Sequence, residues 1–436
     1  MSDTATTALP GAVTVPAARS SALAALLLLA GTVAVGRIAQ GVFSPLQEMA
    51  KHDLQLSDFE VSLVQGLAAS IPVAVLSIPL GRMVDHANRV RLLLAMAVVW
   101  TLGTLLTAVV QDFTALFAAR TLSGIGMMCS LPVAISIAAD LSAADRRGRS
   151  LLLLSVGSMF GAAAAFVFGG GLVGWVKADD GGWFGDLAPW RSVHLLIGLG
   201  SALWLLPLLL LREPVRQELG SIAAPSIREA MAAIWQRRRL LAPLFIGQTS
   251  VVMADASAGI WAAPVLIRDY GLTPEQFGPW MGAVVVLSGL IGSVIGGVAA
   301  DLGHKGRLRG GMLGPAVVAA LCSLPATFFA LMPTPTGFAL MLFVLLICGS
   351  ITGLVTSTAI AVLVPNEIRG ICLGAFIVVG SLFGIGMAPT LVTLISSALG
   401  GESHVREGLT LLVLFSSLAS AIGFTLALRG RVQTTH

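Results

Sequence analysis

The chain alternates long apolar runs with short polar segments. A helix rises about 1.5 Å per residue and the hydrocarbon core of a bilayer is about 30 Å thick, so one crossing needs about 20 apolar residues. Runs of this length lie near residues 21–47, 57–79, 91–110, 113–139, 150–173 and 193–211, and near residues 241–267, 275–300, 310–331, 337–363, 372–398 and 408–428. The pattern predicts an all-α integral membrane protein with twelve transmembrane helices.

The polar segments of the first half recur in the second. In residues 81–91 and 297–307, a glycine stands four residues before an aspartate and basic residues follow, and Asp85 and Asp301 are 216 residues apart in a chain of 436. Helix-start signals at residues 57–60 and 273–276 have the same offset. An Arg-Gly pair followed by a Gly-Ser-x-Phe-Gly motif occurs in residues 147–161 and 369–384, offset by 222 and 223. These anchors indicate two six-helix pseudo-repeats in the same orientation.

The repeats divide the chain into five segments. We predict a disordered N-terminal tail (1–20), an N-terminal six-helix bundle (21–211), a cytoplasmic connector (212–240), a C-terminal six-helix bundle (241–428) and a C-terminal tail (429–436). Nineteen of the 26 Lys and Arg residues fall on the side of the connector and only five on the other. The positive-inside rule therefore predicts that both termini are cytoplasmic.

Composition excludes several classes of function. Hydrophobic residues make up 56% of the chain and charged residues 11%, against about 25% charged residues in soluble domains. Basic residues are scattered over short segments, which excludes a nucleic-acid surface. The sequence has no phosphate-binding loop, metal-ligand cluster or nucleophile arrangement, so we expect no enzyme activity, no metal and no cofactor.

The first repeated loop carries a family resemblance. Residues 81–90 resemble the signature Gly-x-x-x-Asp-basic-x-Gly-basic-basic of the major facilitator superfamily, with matches at Gly81, Asp85 and Arg89. His86, Asn88 and Val90 depart from the pattern. Because Asn tolerates left-handed backbone nearly as well as Gly, we expect the turn at Asn88 to persist. The resemblance implies that Asp85 holds the cytoplasmic side shut through contacts near Arg369, and that Gly297 and Asp301 act likewise in the second half.

Further pieces are similar to the spinster-like branch of this superfamily and its bacterial relatives. They are Leu56-Ser57-Asp58, Val99-Trp100-Thr101, Arg120 with Gly124-Ile125-Gly126, Pro132, Ala139-Asp140-Leu141 with Arg146-Arg147-Gly148-Arg149, Trp190-Arg191, Glu213-Pro214, Trp261 with Pro264, Pro365 with Arg369, and Gly386 with Pro389. Spinster-like relatives commonly carry an acid-arginine pair where this chain has Ala39-Gln40, and a glutamate where it has Met127. Both usual candidates for proton carriage are absent.

Charges inside the apolar runs are the main candidates for a site, because each costs at least about 2.5–3.5 kcal/mol at mid-bilayer without a partner or water. They are Arg37, Arg120 and Asp255. The resemblance implies that spans 1, 4, 7 and 10 line a central cavity, so we hypothesise that the three share a site of net charge +1 suited to a carboxylate or phosphate. Alternatives are a structural clamp for Arg120 and snorkelling to the headgroups for Arg37. Asp255 would be an ion-pair partner or a proton carrier.

Polar and apolar neighbours complete the predicted substrate and coupling site. Gln40 shares the helix face of Arg37, Trp261 belongs to a pliable apolar wall, and Thr356 is one of the hydroxyl residues of span 10, most of which we expect to bond their own backbone.

The leading prediction is a secondary transporter that moves an amphipathic or anionic organic solute, lipid-like by resemblance, through alternating access, with a proton gradient as the candidate driving force. Alternatives are multidrug-type efflux of hydrophobic compounds and a non-transporting membrane receptor or scaffold. We expect a monomer in the bacterial inner membrane, with membrane lipids and a small-molecule or lipid-like substrate as its partners.

Overall fold

The computed structural model describes residues 16–143, 146–179, 182–183, 185–216, 232, 235–308, 310–364 and 366–433. Within these ranges the chain is helical and has no strand, and twelve spans are long and apolar enough to cross a membrane. The predicted all-α fold with twelve transmembrane helices is confirmed. Most of the predicted connector, 212–240, lies outside the described residues.

Spans 1 to 6 form the first half, and spans 1 and 2 each consist of two helical segments. The segments are Pro16–Gly41 and Phe43–Asp53 (span 1), Asp58–Gln65 and Leu67–His86 (span 2), Arg89–Thr107 (span 3), Phe113–Asp140 (span 4), Arg147–Ala178 (span 5) and Pro189–Leu208 (span 6). The first helix begins within the predicted disordered tail, 1–20, and the rest of that tail lies outside the described residues. Span 1 also extends beyond its predicted end, because the helix resumes after a break at Val42.

Spans 7 to 12 form the second half, where span 11 changes its helix type along its length. The segments are Arg238–Arg268 (span 7), Pro274–His304 (span 8), Gly314–Ala326 between 3₁₀ turns Gly311–Leu313 and Thr327–Leu331 (span 9), Pro335–Leu363 (span 10), Asn366–Val379, π-helical turns Gly380–Met387 and Ala388–Leu399 (span 11), and Val405–Gln433 (span 12).

Side-chain caps fix several helix starts. Ser57 Oγ accepts from the Glu60 amide at 3.2 Å, and the Ser57 amide donates to Glu60 Oε2 at 2.8 Å, so the predicted capping box is present. Asn88 Oδ1 accepts from the Arg91 amide at 2.8 Å and caps span 3. Its φ is −70°, so the short connection between spans 2 and 3 persists, but the expected left-handed backbone at Asn88 is wrong. The reason is that an N-cap residue takes extended backbone while its side chain bonds the first helical turn.

Among the described residues, the closest approaches of the two halves lie toward one membrane face. We call the face that carries loops 81–91 and 297–307 the signature-loop face, and its opposite the far face. Between spans 2 and 11, a Cβ at Gly66 would overlap the Gly386 carbonyl near the far face, whereas a Cβ at Gly81, near the signature-loop face, would meet no atom within 4 Å. Between spans 5 and 8, Gly278 lies against the Phe166 carbonyl, whereas Gly148 has open space. Within the part of the chain that the structure describes, the halves are therefore in close contact at the far face and leave open space around Gly81 and Gly148 at the signature-loop face.

Candidate transport cavity

A cavity of about 710 Å³ lies between the two halves. Spans 1 and 5 line it from the first half, and spans 7, 8, 10 and 11 from the second. Its wall is mostly apolar, with serine hydroxyls and two charged side chains, Arg37 and Asp255. This size and mixture are typical of sites for small organic molecules. Span 4 contributes no lining residue, contrary to the cavity geometry that the family resemblance implies.

Arg37 presents its guanidinium to the cavity from span 1. Its Nε donates to Ser158 Oγ on span 5 at 2.9 Å, and Gly161 lets the two spans approach, because a Cβ there would crowd Cβ of Arg37. The two Nη nitrogens of Arg37 make no hydrogen bond to a described residue. Cavity lining, rather than snorkelling to the headgroups, is thus the observed placement. The free edge of the guanidinium is suited to a bidentate contact with a carboxylate or phosphate.

Asp255 faces the same cavity from span 7, in the other half. It packs against Gly349 of span 10, where a Cβ would overlap the carboxylate. Its Oδ1 is fully buried and has no hydrogen-bond partner among the described residues. The structure therefore brings two of the three predicted intramembrane charges into one cavity, one from each half.

Arg120 lies outside the cavity. Its side chain is buried, Nη2 donates to the Gln40 carbonyl at 2.5 Å, Nη1 reaches the Ala39 carbonyl at 3.5 Å, and the guanidinium stacks on the Phe43 ring. These carbonyls lie next to the break in span 1, where Pro45 lacks an amide hydrogen for a helical bond. This geometry favours the clamp alternative for Arg120, and Pro45 was the sequence signal for it. Gln40 contributes its backbone carbonyl to the clamp, and its side chain is not among the cavity-lining groups.

Two further predicted site residues hold helices together. Trp261 is fully buried, and its Nε1 donates to the Pro389 carbonyl of span 11 at 3.1 Å. Thr356 is also fully buried and donates to Gln248 Oε1 of span 7 at 3.1 Å. Neither lines the cavity. Of the hydroxyl residues of span 10, Ser350 and Ser357 line the cavity. Three serines that the sequence analysis did not predict also line it, namely Ser158, Ser288 and Ser293.

The signature loop is held inside the first half by Arg89. This buried side chain donates through Nη1 to Asp140 Oδ2 at 2.5 Å and through Nε to Glu213 Oε1 at 2.8 Å, while Glu213 Oε2 accepts from the Val90 amide at 2.9 Å. Asp85 and Asp301 are exposed, and Asp85 forms no ion pair with a described residue. The side chain of Arg369 lies outside the described residues, so its predicted contact with Asp85 stays a prediction.

The far face carries a set of ion pairs that sequence reasoning missed. Arg268 of span 7 bonds Glu48 of span 1 through Nε (2.9 Å) and Nη2 (2.6 Å), and bonds Asp58 of span 2 through Nη1 (2.7 Å) and Nη2 (2.6 Å). Lys51 bonds Asp58 Oδ1 at 2.6 Å and Glu402 Oε2 at 2.5 Å. These contacts join the two halves at the far face.

The sequence signal that could have revealed these ion pairs is the small number of Lys and Arg residues on the far face. All five of these basic residues form an ion pair with an acid. Besides the pairs of Arg268 and Lys51, the pairs are Lys177 with Glu275, Arg191 with Asp53 and Arg406 with Asp269.

Comparisons with known proteins agree with this architecture. The chain is 28% identical over 417 residues to an "MFS-type efflux pump" of Mycolicibacterium smegmatis, covering 94% of this chain and 92% of that protein. It is 26% identical over 388 residues to "Protein spinster homolog 1" of Mus musculus, covering 82% of this chain and 69% of that protein. The fold matches the crystal structure of a bacterial homolog of the human lysosomal transporter Spinster in an inward-facing, unoccupied conformation, with a TM-score of 0.80, 21% identity and coverage of 96% and 98%.

The family assignment rests on a match over most of the chain. Residues 26–389 match the family model described as Major Facilitator Superfamily, which spans both halves, the cavity and the signature loops. The chain belongs to the Major Facilitator Superfamily of membrane transporters, and its relatives include spinster-like proteins and an efflux pump.

Proposed function

We propose that this transporter moves an amphipathic organic solute with an anionic group by alternating access. The observation that carries the proposal is that Arg37 and Asp255 face one cavity from opposite halves. A solute held there contacts both halves, so their relative motion can expose it to either side of the membrane. The apolar wall accommodates a hydrophobic portion, and the free edge of the Arg37 guanidinium binds the anionic group. This role is binding and movement, with no covalent chemistry.

The charge balance of the cavity differs from the sequence hypothesis. Without Arg120, the cavity holds one guanidinium and one carboxylate rather than a net charge of +1. A cation or proton bound at Asp255 would restore a net positive site for an anionic solute. Coupling to a cation gradient through Asp255 follows from this arrangement.

The membrane orientation belongs to the same proposal. The distribution of basic residues supports a cytoplasmic location of the signature-loop face and of both termini, and the bacterial inner membrane is the proposed location. The cavity would then be open inward. Fusing alkaline phosphatase to the C-terminus tests this orientation, because a cytoplasmic terminus gives no phosphatase activity.

Efflux of hydrophobic compounds is the second candidate. It is favoured by the similarity to the efflux pump of Mycolicibacterium smegmatis and by the apolar cavity wall, including Met159, Phe166 and Met281. Stabilisation of the protein by uncharged or cationic aromatics, and not by anionic solutes, would favour this candidate over the first.

Replacement of Arg37 tests the anion site. We expect lysophospholipids or organic acids to raise the unfolding temperature of the purified protein. We also expect Arg37→Ala to weaken their binding about tenfold or more, because a hydrogen bond to a charged group contributes on the order of 1.5–3 kcal/mol. Arg91→Ala, an exposed arginine of the signature loop, is the matched control. Equal binding by the wild type and Arg37→Ala would remove the anion site.

Replacement of Asp255 tests coupling. In proteoliposomes, Asp255→Asn should abolish solute accumulation driven by a cation or pH gradient and retain solute exchange at equal concentrations, because the amide keeps the shape but cannot carry the charge. Asp186→Asn, an exposed aspartate, is the control. Accumulation that is unchanged in Asp255→Asn would refute a coupling role.

A further inference from the structure

A second, small cavity lies behind Asp255, inside the second half. Its volume is about 10 Å³, and residues of spans 7, 9, 10 and 12 line it. By this measure it has room for about one water molecule or an ion of similar size. Asp255 lines both this cavity and the central one, so its carboxylate separates the two.

Two of the hydroxyl groups around the small cavity present only acceptor lone pairs to it. The hydroxyls of Ser323 and Thr352 donate to carbonyls of their own helices, at 2.8 Å to Ala320 and 2.9 Å to Gly349. A hydroxyl that has used its proton in this way offers only lone pairs to the cavity. Ser417 and Ser420 line it from span 12, and Ser420 Oγ is buried without a hydrogen-bond partner among the described residues.

The charge of the small cavity is that of a single carboxylate. Its lining includes no Lys, Arg or His, and Asp255 Oδ1 is fully buried and unpartnered among the described residues. Burying a carboxylate without compensation is costly, and a cation bound between oxygen ligands would neutralise it. Divalent ions are poorly suited, because they favour several carboxylate ligands and no group of three His, Cys, Asp or Glu occurs among the described residues.

The backbone is shaped to admit the carboxylate. Gly349 of span 10 has no side chain at the point where Asp255 packs, and a Cβ there would overlap the carboxylate. The site can be reached from the central cavity through Asp255 itself, which gives a bound ion an entry path.

We propose that Asp255, Ser323, Thr352, Ser417 and Ser420 form a binding site for one monovalent cation of the size of sodium. The site depends on the proposed function only in that the same carboxylate faces the solute cavity. An ion here would couple its own gradient to solute movement, because occupancy changes the charge presented to the solute.

Direct binding of ²²Na⁺ to the purified full-length protein tests the site. We expect saturable binding of one ion per protein, competition by unlabelled Na⁺, and at least tenfold weaker competition by the larger K⁺. Asp255→Asn should abolish the binding, and Ser420→Ala and Gly349→Ala should weaken it about fivefold or more. Ser250→Ala is the control. Ser250 is a buried serine of span 7, about one turn from Asp255, and it does not line the small cavity, so this variant should bind Na⁺ as the wild type does.

Absence of saturable ²²Na⁺ binding in the wild type, or unchanged binding in Asp255→Asn, would overturn the site. If Asp255→Asn does not purify as a monodisperse protein, Na⁺ binding by Ser420→Ala and Gly349→Ala tests the site instead. Wild-type affinity for Na⁺ in both variants would overturn the proposed site. Proton-driven uptake without Na⁺ binding would also overturn the sodium site while leaving the proposed transport function. Na⁺ binding in a protein that neither binds nor moves anionic solutes would retain the site and refute the proposed function.

Discussion

The two membrane faces use ion pairs in different ways. At the far face, Arg268 of the second half binds Glu48 and Asp58 of the first, and Lys51 of the first half binds Glu402 of the second. Glu48 and Asp58 are buried in those contacts. At the signature-loop face, Arg89 connects Asp140 and Glu213 within one half. The first set must break when the far face opens, whereas the second can persist through the whole cycle. We therefore expect the first set to control which conformation is populated and the second to maintain the fold of a half.

The largest expected effect is loss of stability on replacing Arg89. Arg89→Ala removes the guanidinium that Asp140 and Glu213 share, and breaking a buried ion pair costs about 3–5 kcal/mol. Because all three residues belong to the same half, opening the far face does not relieve this cost. The unfolding temperature of the purified protein measures the effect, with Arg91→Ala as the exposed control. A decrease no larger than that of the control would contradict the assignment of Arg89 as a clamp.

An intermediate effect is expected on replacing Arg268. While the far face is closed, Arg268→Ala leaves Glu48 without its ion-pair partner and leaves Asp58 with Lys51 alone, so the protein can relieve the cost by opening this face. We expect a shift of about tenfold in the ratio of conformations, on the order of 1–2 kcal/mol after allowance for the partial exposure of Arg268. Ser62 Oγ and Thr390 Oγ1 lie 3.2 Å apart across the halves, so disulfide formation in Ser62→Cys with Thr390→Cys reports the closed face.

A cysteine pair that cross-links equally well with and without Arg268 would show that these ion pairs do not hold the face closed. The measurement requires replacement of the four native cysteines, of which Cys129, Cys348 and Cys372 are buried and Cys322 is exposed.

The smallest effect on stability is expected at Asp85. Because Asp85 is exposed and without an ion pair among the described residues in this conformation, Asp85→Asn should change the unfolding temperature little. If Asp85 closes the signature-loop face in the other conformation, the same variant should slow transport and increase cross-linking of the far-face cysteine pair. A wild-type transport rate would remove Asp85 from the gate.

The sequence predicted what depends on local pattern. Twelve spans, the duplication and the capping box at Ser57 follow from hydropathy and short motifs, and the structure contains each of them. Charges inside apolar runs, together with the family resemblance, also allowed Arg37 and Asp255 to be predicted for one cavity.

The sequence alone did not reveal which way a side chain points around its helix axis, or which side chains pair across the two halves. Arg120 has a depth similar to that of other cavity residues, but it faces span 1, and its two acceptors arise from a break that hydropathy does not register. Arg268 reaches acids more than 200 residues earlier in the chain, and one sequence alone does not indicate which of several loop acids it meets. The left-handed backbone predicted at Asn88 is absent, because Asn88 caps span 3 and does not take the conformation of the signature glycine.

The π-helical turns of span 11 explain how the two halves remain alike despite unequal lengths. Span 11 has one more residue than span 5 between its Arg-Gly pair and its Gly-Ser motif, and in a regular α-helix that residue would rotate everything beyond it by about 100°. The turns at Gly380–Met387 are wider, and Gly384 still lies against span 7 as Gly161 lies against span 1. The wider turns directly follow the segment that holds the extra residue, and they offset its rotation without a loop in the membrane. Deleting one residue there should therefore turn the glycine face of span 11 away from its neighbours.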